Sequence, residues 1–192
     1  MDQNLPAIRS RIKTRRRALS SKQIASASEK ICRLLWSNDA FRSRNRIAVY
    51  MSNFGEVDCS PILKTAFLRK KQIYLPVLSK NRLRFAPYEN STQLTLNHYK
   101  ILEPVCQKGS LTDARFLDVV IAPLVAFDAN LNRVGMGGGY YDRSLAFRKR
   151  RHRWKRPLVI GLAYSFQRAD QIQAAPWDVP MDMVITEENI FQ

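Results

Sequence analysis

Residues 134–143, VGMGGGYYDR, hold four of the chain's seven glycines and end in two tyrosines, an aspartate and an arginine. A run with so few side chains lets the backbone approach a ligand closely. Apolar residues before it and a helical pattern after it, YYDRSLAFRKR, place its N–H groups at a helix start. Unpaired donors and the positive end of the helix attract phosphate there. The spacing matches neither standard phosphate loop: Tyr140 stands where a dinucleotide loop has its last glycine, and the Lys-Ser/Thr pair of a Walker loop is missing. Arg133 and Asp142 on either side favour phosphate and metal, because a carboxylate in the first turn could share a magnesium ion with any phosphate the loop holds. Each feature also has a plain structural reading. Glycine clusters form turns, Asp142 could balance a helix dipole, and Tyr140 and Tyr141 could pack in a core as readily as stack on a flat ring.

Other chemistries find little support. The chain has two histidines, His98 and His152, and the second lies in the charge run RKRRHRWKR, so a histidine-based serine or cysteine hydrolase is not expected. Cys32, Cys59 and Cys106 are odd in number and widely spaced, which argues against a disulfide framework or a zinc knuckle and for buried, reduced thiols. The balance of 32 Lys and Arg against 16 Asp and Glu gives +16, a field that favours anionic partners: nucleic acid, membrane headgroups, or polyphosphate and polycarboxylate small molecules. No apolar run approaches the ~20 residues that span a bilayer, and MDQNLPAIRS lacks the apolar core of a secretory signal, so a soluble, cytoplasmic protein is expected.

The elements that must position the loop follow from periodicity. Residues 4–19 read as a basic helix with few core anchors, lying across the surface. SSKQIASASEKICRLLW reads as a second helix with a Ser20–Gln23 capping box and an apolar stripe of Ile24, Ile31, Leu34 and Leu35. IAVYM is a short strand, and SPILKTAFLRK a helix with Ser60 as N-cap and Pro61 in first position. KQIYLPVL and LRFAPY read as strands whose prolines suggest ends or edges, and residues 89–115 as polar and irregular. LDVVIAPLVAF (117–127) lacks polar alternation and is the best candidate for a strand buried on both faces, followed by the turn DANLNR. RPLVIGLAY and MDMVITE are late strands. With 192 residues, 45% of them hydrophobic, the chain can bury one sizeable core, and helices alternating with apolar strands indicate a single α/β domain with a largely parallel sheet.

VGMGGGYYDR, YMSNFGEVD and GLAYSFQ…PWDVPMDMVITE together resemble, in order and over nearly the whole chain, the 5-formyltetrahydrofolate cyclo-ligase family, also called methenyltetrahydrofolate synthetase. The resemblance implies one three-layer α/β/α domain over residues 1–192 with a mostly parallel, Rossmann-like sheet. It implies an ATP- and magnesium-dependent ligase that converts 5-formyltetrahydrofolate to 5,10-methenyltetrahydrofolate with release of ADP and phosphate. Phosphorylation turns the formyl oxygen into a good leaving group, and N10 then closes the ring. Such chemistry needs positioning and charge neutralisation more than a protein nucleophile, which suits a chain poor in histidine.

Carried over residue by residue, the resemblance gives Arg9, Arg133, Val134, Gly135, Met136, Gly137, Gly138, Gly139, Tyr140 and Tyr141 to ATP. It gives Met51, Glu56, Met136, Gly137, Gly138, Gly139 and Tyr140 to the folate, and Asp142 and Asp178 to Mg2+, with Asp142, Arg133 and Tyr140 as catalytic residues. Read without it, Glu56 is a loop glutamate, Met51 a core residue and Asp178 a turn acid. Asp182 lies one strand step from Asp178. One departure is visible: family members often carry a lysine four residues before the arginine at position 9, and here that place is Leu5. The surplus charge suits ATP and a folate with a polyglutamate tail. The run at 148–156, seven Lys/Arg in nine residues around Trp154, leaves nucleic acid as a rival, less favoured partner. A monomer is expected, and a phosphotransferase acting on some other substrate is a third reading of the same loop.

Overall fold

A computed structural model describes residues 5–151 and 156–192. The basic first helix, α1, spans Leu5–Arg17. It is shorter than expected at its C-terminal end, and residue 4 lies outside the described residues. Its surface position is only half the story, because Ile12 and Arg16 are buried. Helix α2 (Ser21–Ser37) starts at the expected capping box: the Ser20 side chain accepts from Gln23 N–H and the Gln23 side chain accepts from Ser20 N–H. Ile31 and Leu35 of the stripe are fully buried, whereas Ile24 and Leu34 are half-buried. A short α3 (Asp39–Arg42) leads into β1 (Arg46–Ala48).

Helix α4 (Ser60–Leu68) corrects one expectation. Its N-cap is Cys59 without a side-chain cap bond, and Ser60 is already helical. Asp58 does the capping work instead, accepting from Ser60 N–H at 3.0 Å and from the Ser60 hydroxyl at 2.8 Å. Strands β2 (Gln72–Ser79) and β3 (Arg82–Tyr88) form an antiparallel hairpin. Pro76 and Pro87 fit it because β1 pairs only as far along β2 as Tyr74, and β3 is the sheet edge. Neither missing N–H therefore costs a ladder bond. The segment expected to be irregular contains a second hairpin, β4 (Leu94–Leu96) with β5 (Leu102–Pro104).

The apolar block splits into β6 (Val119–Pro123) and β7 (Ala126–Phe127), the latter paired with β8 (Arg133–Val134) in a small separate hairpin. Helix α5 (Tyr140–Leu145) follows the glycine loop, then β9 (Leu158–Leu162), β10 (Met183–Ile185) and β11 (Ile190–Phe191). The main sheet runs β11-β10-β9-β6-β1-β2-β3, parallel from β10 through β2 and antiparallel at both edges.

Alternation explains why it is buried on both sides. Ile47, Val119, Ile121, Ile160, Met183 and Ile185 pack with α2, α3 and α4, while Ala48, Val120, Ala122, Val159 and Val184 pack on the other face with Leu145 of α5 and Phe127. This is the expected three-layer α/β arrangement, with a second helical layer that is thin. Strand β1 sends the chain to β2 on one side, while β6, β9 and β10 continue on the other. The loops leaving the ends of β1 and β6 thus flank the point where strand order reverses, the crevice in which open α/β sheets bind ligands. Among the described residues, no helix is long and apolar enough to cross a membrane.

Candidate functional site

Strand β8 delivers Arg133 and Val134 into the glycine loop, and Gly139, at φ +63°, is the N-cap of α5. That left-handed conformation is why a glycine stands there. The expected long helix after it is only six residues, Tyr140–Leu145, continued as a 3-10 turn over Ala146–Arg150. A helix so short has a weak dipole, so side-chain cations must supply most of the attraction for an anion. They are present. Arg9 Nε donates to Gly135 O at 2.8 Å, bringing the basic helix onto the loop from 126 positions away. Arg143 donates from Nη2 to Gly138 O at 2.6 Å and from Nε to Asn81 O, tying the loop to the β2–β3 turn. Among the described residues, none accepts a hydrogen bond from the backbone N–H of Gly137, Gly138 or Gly139.

Asp142 sits in the first turn of α5, as expected. Its Oδ1 receives Arg133 Nη2 at 2.6 Å and Val179 N–H at 3.2 Å. The Arg133 side chain is 5% exposed, and its buried Nε has no partner among the described residues. Asp178 is placed beside this group through its neighbour Val179. It also closes its own turn, accepting from Ala175 N–H at 2.8 Å through Oδ2, so its turn reading holds. Two carboxylates with one oxygen each left outside these bonds suit magnesium, which needs one or two of them beside phosphate and water. No cluster of three or more His, Cys, Asp or Glu able to hold a metal occurs among the described residues. The donor set therefore fits an ion that arrives with phosphates rather than one caged by protein.

Met51 and Glu56 lie on the loop leaving β1 and line two different clefts. Met51 opens on one of about 540 Å³ with Leu63, Lys64, Phe67 and Tyr88, and Glu56 on one of about 420 Å³ with Ser21, Ile24 and Asn53. No glycine-loop residue lines either. The loops are nonetheless linked by contacts the sequence does not signal. Asn53 Nδ2 donates to Lys100 O at 3.1 Å at the tip of the β4–β5 hairpin, and the Tyr99 hydroxyl on that tip is 2.9 Å from the Tyr140 hydroxyl. Helix α1 forms the second link: Arg9 reaches Gly135, and Arg16, two turns on, faces Glu56 with Nη1 3.7 Å from Oε1. Arg9, Ile12 and Arg16 follow i, i+3, i+7, a stripe that could have been read from the sequence had arginine been counted as buriable. Tyr99, Arg16 and Arg143 are thus site neighbours that sequence reasoning passed over.

Burial pushes the Glu56 carboxyl above the usual range, against the pull of Arg16 and the Asn53 N–H. Tyr141 is half-buried against the core face that α5 covers, and its hydroxyl is likewise raised by burial. Tyr140 is half-buried, with Arg143 over its ring at 5.1 Å. Cys32 and Cys59 are buried thiols pushed up by burial, whereas Cys106 is exposed, against expectation.

Asp182 is elsewhere engaged, gripping Arg148 Nη2 through both oxygens at 2.7 and 2.6 Å and accepting from Val159 N–H. Other residues of the basic run stay exposed but are engaged at the surface. Lys149 donates to Pro176 O, Arg151 stacks over Phe147, and Arg156 pairs with Asp118 at 3.6 Å. Its residues 152–155, with His152 and Trp154, lie outside the described residues.

Comparison with known proteins gives a consistent answer. The sequence model of the 5-formyltetrahydrofolate cyclo-ligase family matches residues 2–187. The 5-formyltetrahydrofolate cyclo-ligase of Escherichia coli K12 is 33% identical over 186 residues, covering 94% of this chain and 99% of that one. The solved structure of Aquifex aeolicus 5,10-methenyltetrahydrofolate synthetase superposes with a TM-score of 0.81 at 31% identity, over 97% of this chain and 91% of that one. The Mycoplasma pneumoniae synthetase does so at 0.74 and 25%, over 96% and 99%.

Proposed function

Because this chain belongs to the 5-formyltetrahydrofolate cyclo-ligase family and is an enzyme of that kind, we propose that it closes the 5,10-methenyl ring at the expense of ATP. The γ-phosphoryl group moves to the formyl oxygen and ADP leaves. N10 attacks the formyl carbon and loses its proton to solvent, and the carbon–oxygen bond breaks to release phosphate. The observation that carries this reading is the convergence on one glycine loop of Arg9 from α1 and of the Arg133–Asp142 pair from β8 and α5.

In this reading Arg9, Arg133 and the backbone of Val134–Gly139, with Tyr140 and Tyr141, hold the ATP phosphates. The unpaired loop N–H groups supply donors, and the nearly buried Arg133 guanidinium stands where phosphate charge builds. Met51 and Glu56, with Met136–Tyr140, hold the folate, since the donor edge of the pterin suits a carboxylate. Asp142 and Asp178 would hold magnesium, whose part when bound is to neutralise phosphate charge. The chain acts as a cytoplasmic monomer of one domain, and its positive field gathers ATP and folates with or without a polyglutamate tail.

The test is direct. With Mg-ATP and 5-formyltetrahydrofolate the purified protein should generate the absorbance of the methenyl product. A folded protein that generates none, at any folate or ATP concentration tried, refutes the reading.

A further inference from the structure

We infer that Arg16 is the positioning residue that keeps the Glu56 carboxylate charged and in place as the acceptor for the reduced pterin. This rests on the assignment of Glu56 to the folate. Arg16 is 1% exposed, among the largest fully buried side chains of the molecule. Among the described residues, its Nε and Nη2 are buried without partners, and Nη1 has only Leu124 O at 3.4 Å and Glu56 Oε1 at 3.7 Å. A guanidinium held this way costs the fold, and an apolar side chain of similar size would serve packing better. What the arginine supplies is charge at one place.

The surroundings are built to keep that place. Gly55, at φ +72°, lets the loop lie against α1: a Cβ there would come 2.7 Å from Arg16 O. The Glu56 backbone is pinned by the Tyr164 hydroxyl donating to its carbonyl at 3.2 Å, and Oε2 accepts from Asn53 N–H at 3.1 Å. Among the described residues, no donor bonds Oε1, which is left for a ligand with the guanidinium behind it. The groups facing Glu56 from other elements are Tyr50 and Cys59 around its own loop, Tyr141 of α5 and Tyr164 after β9. Burial raises all four, so they remain neutral near pH 7. Asp58 and Glu187 add negative charge nearby, acting with Glu56 on Tyr164. Against burial, which raises Glu56, the opposing influences are Arg16 first and the Asn53 N–H second.

The test is the pH dependence of kcat/KM for 5-formyltetrahydrofolate at saturating Mg-ATP, with melting temperatures measured alongside. Removing the cation leaves Glu56 easier to protonate, so Arg16→Met should move the acid limb up by roughly one pH unit. Below the wild-type limb, kcat/KM for the folate should fall about tenfold, the factor corresponding to one unit, with little loss above the shifted limb, and KM for ATP should stay unchanged. Arg16→Lys should restore the limb, and Glu56→Gln should abolish it. A merely structural Arg16 would instead lower the melting temperature and leave the limb in place, which overturns the inference. Should Arg16→Met not fold, the Glu56 side-chain carboxyl can be titrated by NMR in wild type and Arg16→Gln without ligands, where an unmoved midpoint overturns it equally. The two levels separate cleanly: unchanged folate KM in Glu56→Gln refutes the assignment of Glu56, whereas a raised KM there with an unmoved limb in Arg16→Met refutes only the role of Arg16.

Discussion

Asp142 and Arg133 meet at 2.6 Å in a place where neither is well solvated, with side chains 17% and 5% exposed. Replacing Asp142 by Asn keeps the oxygen that accepts from Arg133 and Val179 but removes the charge. Turnover should fall about a hundredfold, the scale of losing one electrostatic partner of a transferring phosphoryl group, and the melting temperature should drop as well, because the nearly buried Arg133 loses its counter-charge. Wild-type rates would take Asp142 out of the site. Arg9 and Glu56 should divide the substrates: Arg9→Ala raises KM for ATP and Glu56→Gln raises KM for the folate, each by tenfold or more and each with at most a twofold effect on the other. Initial-rate kinetics with both substrates varied check this, and equal effects on the two constants would contradict the division of roles.

At the scale of elements, the glycine loop works because β8 and α5 are rigid around it and Gly139 turns the chain between them. Gly139→Ala forces a left-handed residue with a Cβ 2.7 Å from Arg143 Nη1. It should destabilise the protein by about 1 kcal/mol and displace the arginine from Gly138 O. A larger loss of ATP use than of stability is expected, read from chemical denaturation beside ATP kinetics. Ser20→Ala is the control: it removes the α2 cap for about 1 kcal/mol and should leave both KM values alone. These elements show where local reading succeeds. The Ser20 box and the unbroken apolar run of β6 depend on neighbours within a few positions, and both are found as expected. The Ser60 cap fails because the helix starts one residue earlier: Ser60 is already helical, and its own N–H and hydroxyl both donate to Asp58. The long helix after Tyr141 fails because the chain tightens to a 3-10 turn after Leu145.

Across the whole molecule, the sheet has the loops proposed to hold the ligands at one end and an electrostatic clasp at the other. There Asp118 accepts from Asn45 and Arg46 N–H at 3.1 and 2.9 Å and faces Arg156. Burial alone would raise Asp118, but the N–H groups of Arg46 and Asn45 and the Arg156 guanidinium hold it below the usual carboxylate range. A folded pKa below the unfolded value, near 3.9, gives stability that is present above that value and lost as pH falls through the folded one. Asp118→Asn should therefore cost about 1 kcal/mol at pH 7, discounted for partial exposure, with the difference shrinking below pH ~4. Urea midpoints across that range check it, and folate turnover at pH 7 should not change. A difference that grew on acidification would reverse the sign of this linkage.

The same scale separates what the sequence held from what folding decided. Periodicity, glycine content and the order of motifs are properties of adjacent residues, so the parallel α/β sheet, the glycine loop and Asp142 at its helix start could be read directly. Which arginine touches what could not. Arg9 and Arg16 look alike in a run of basic residues, yet one reaches a loop 126 positions away and the other is sealed against Glu56. In sequence the basic run at 148–156 shows only its charge, yet Arg148 is 7% exposed and held by Asp182. Long flexible cations carry no local signal of their partner, since that choice is made by charges and carbonyls which only the closed sheet brings within 3 to 4 Å.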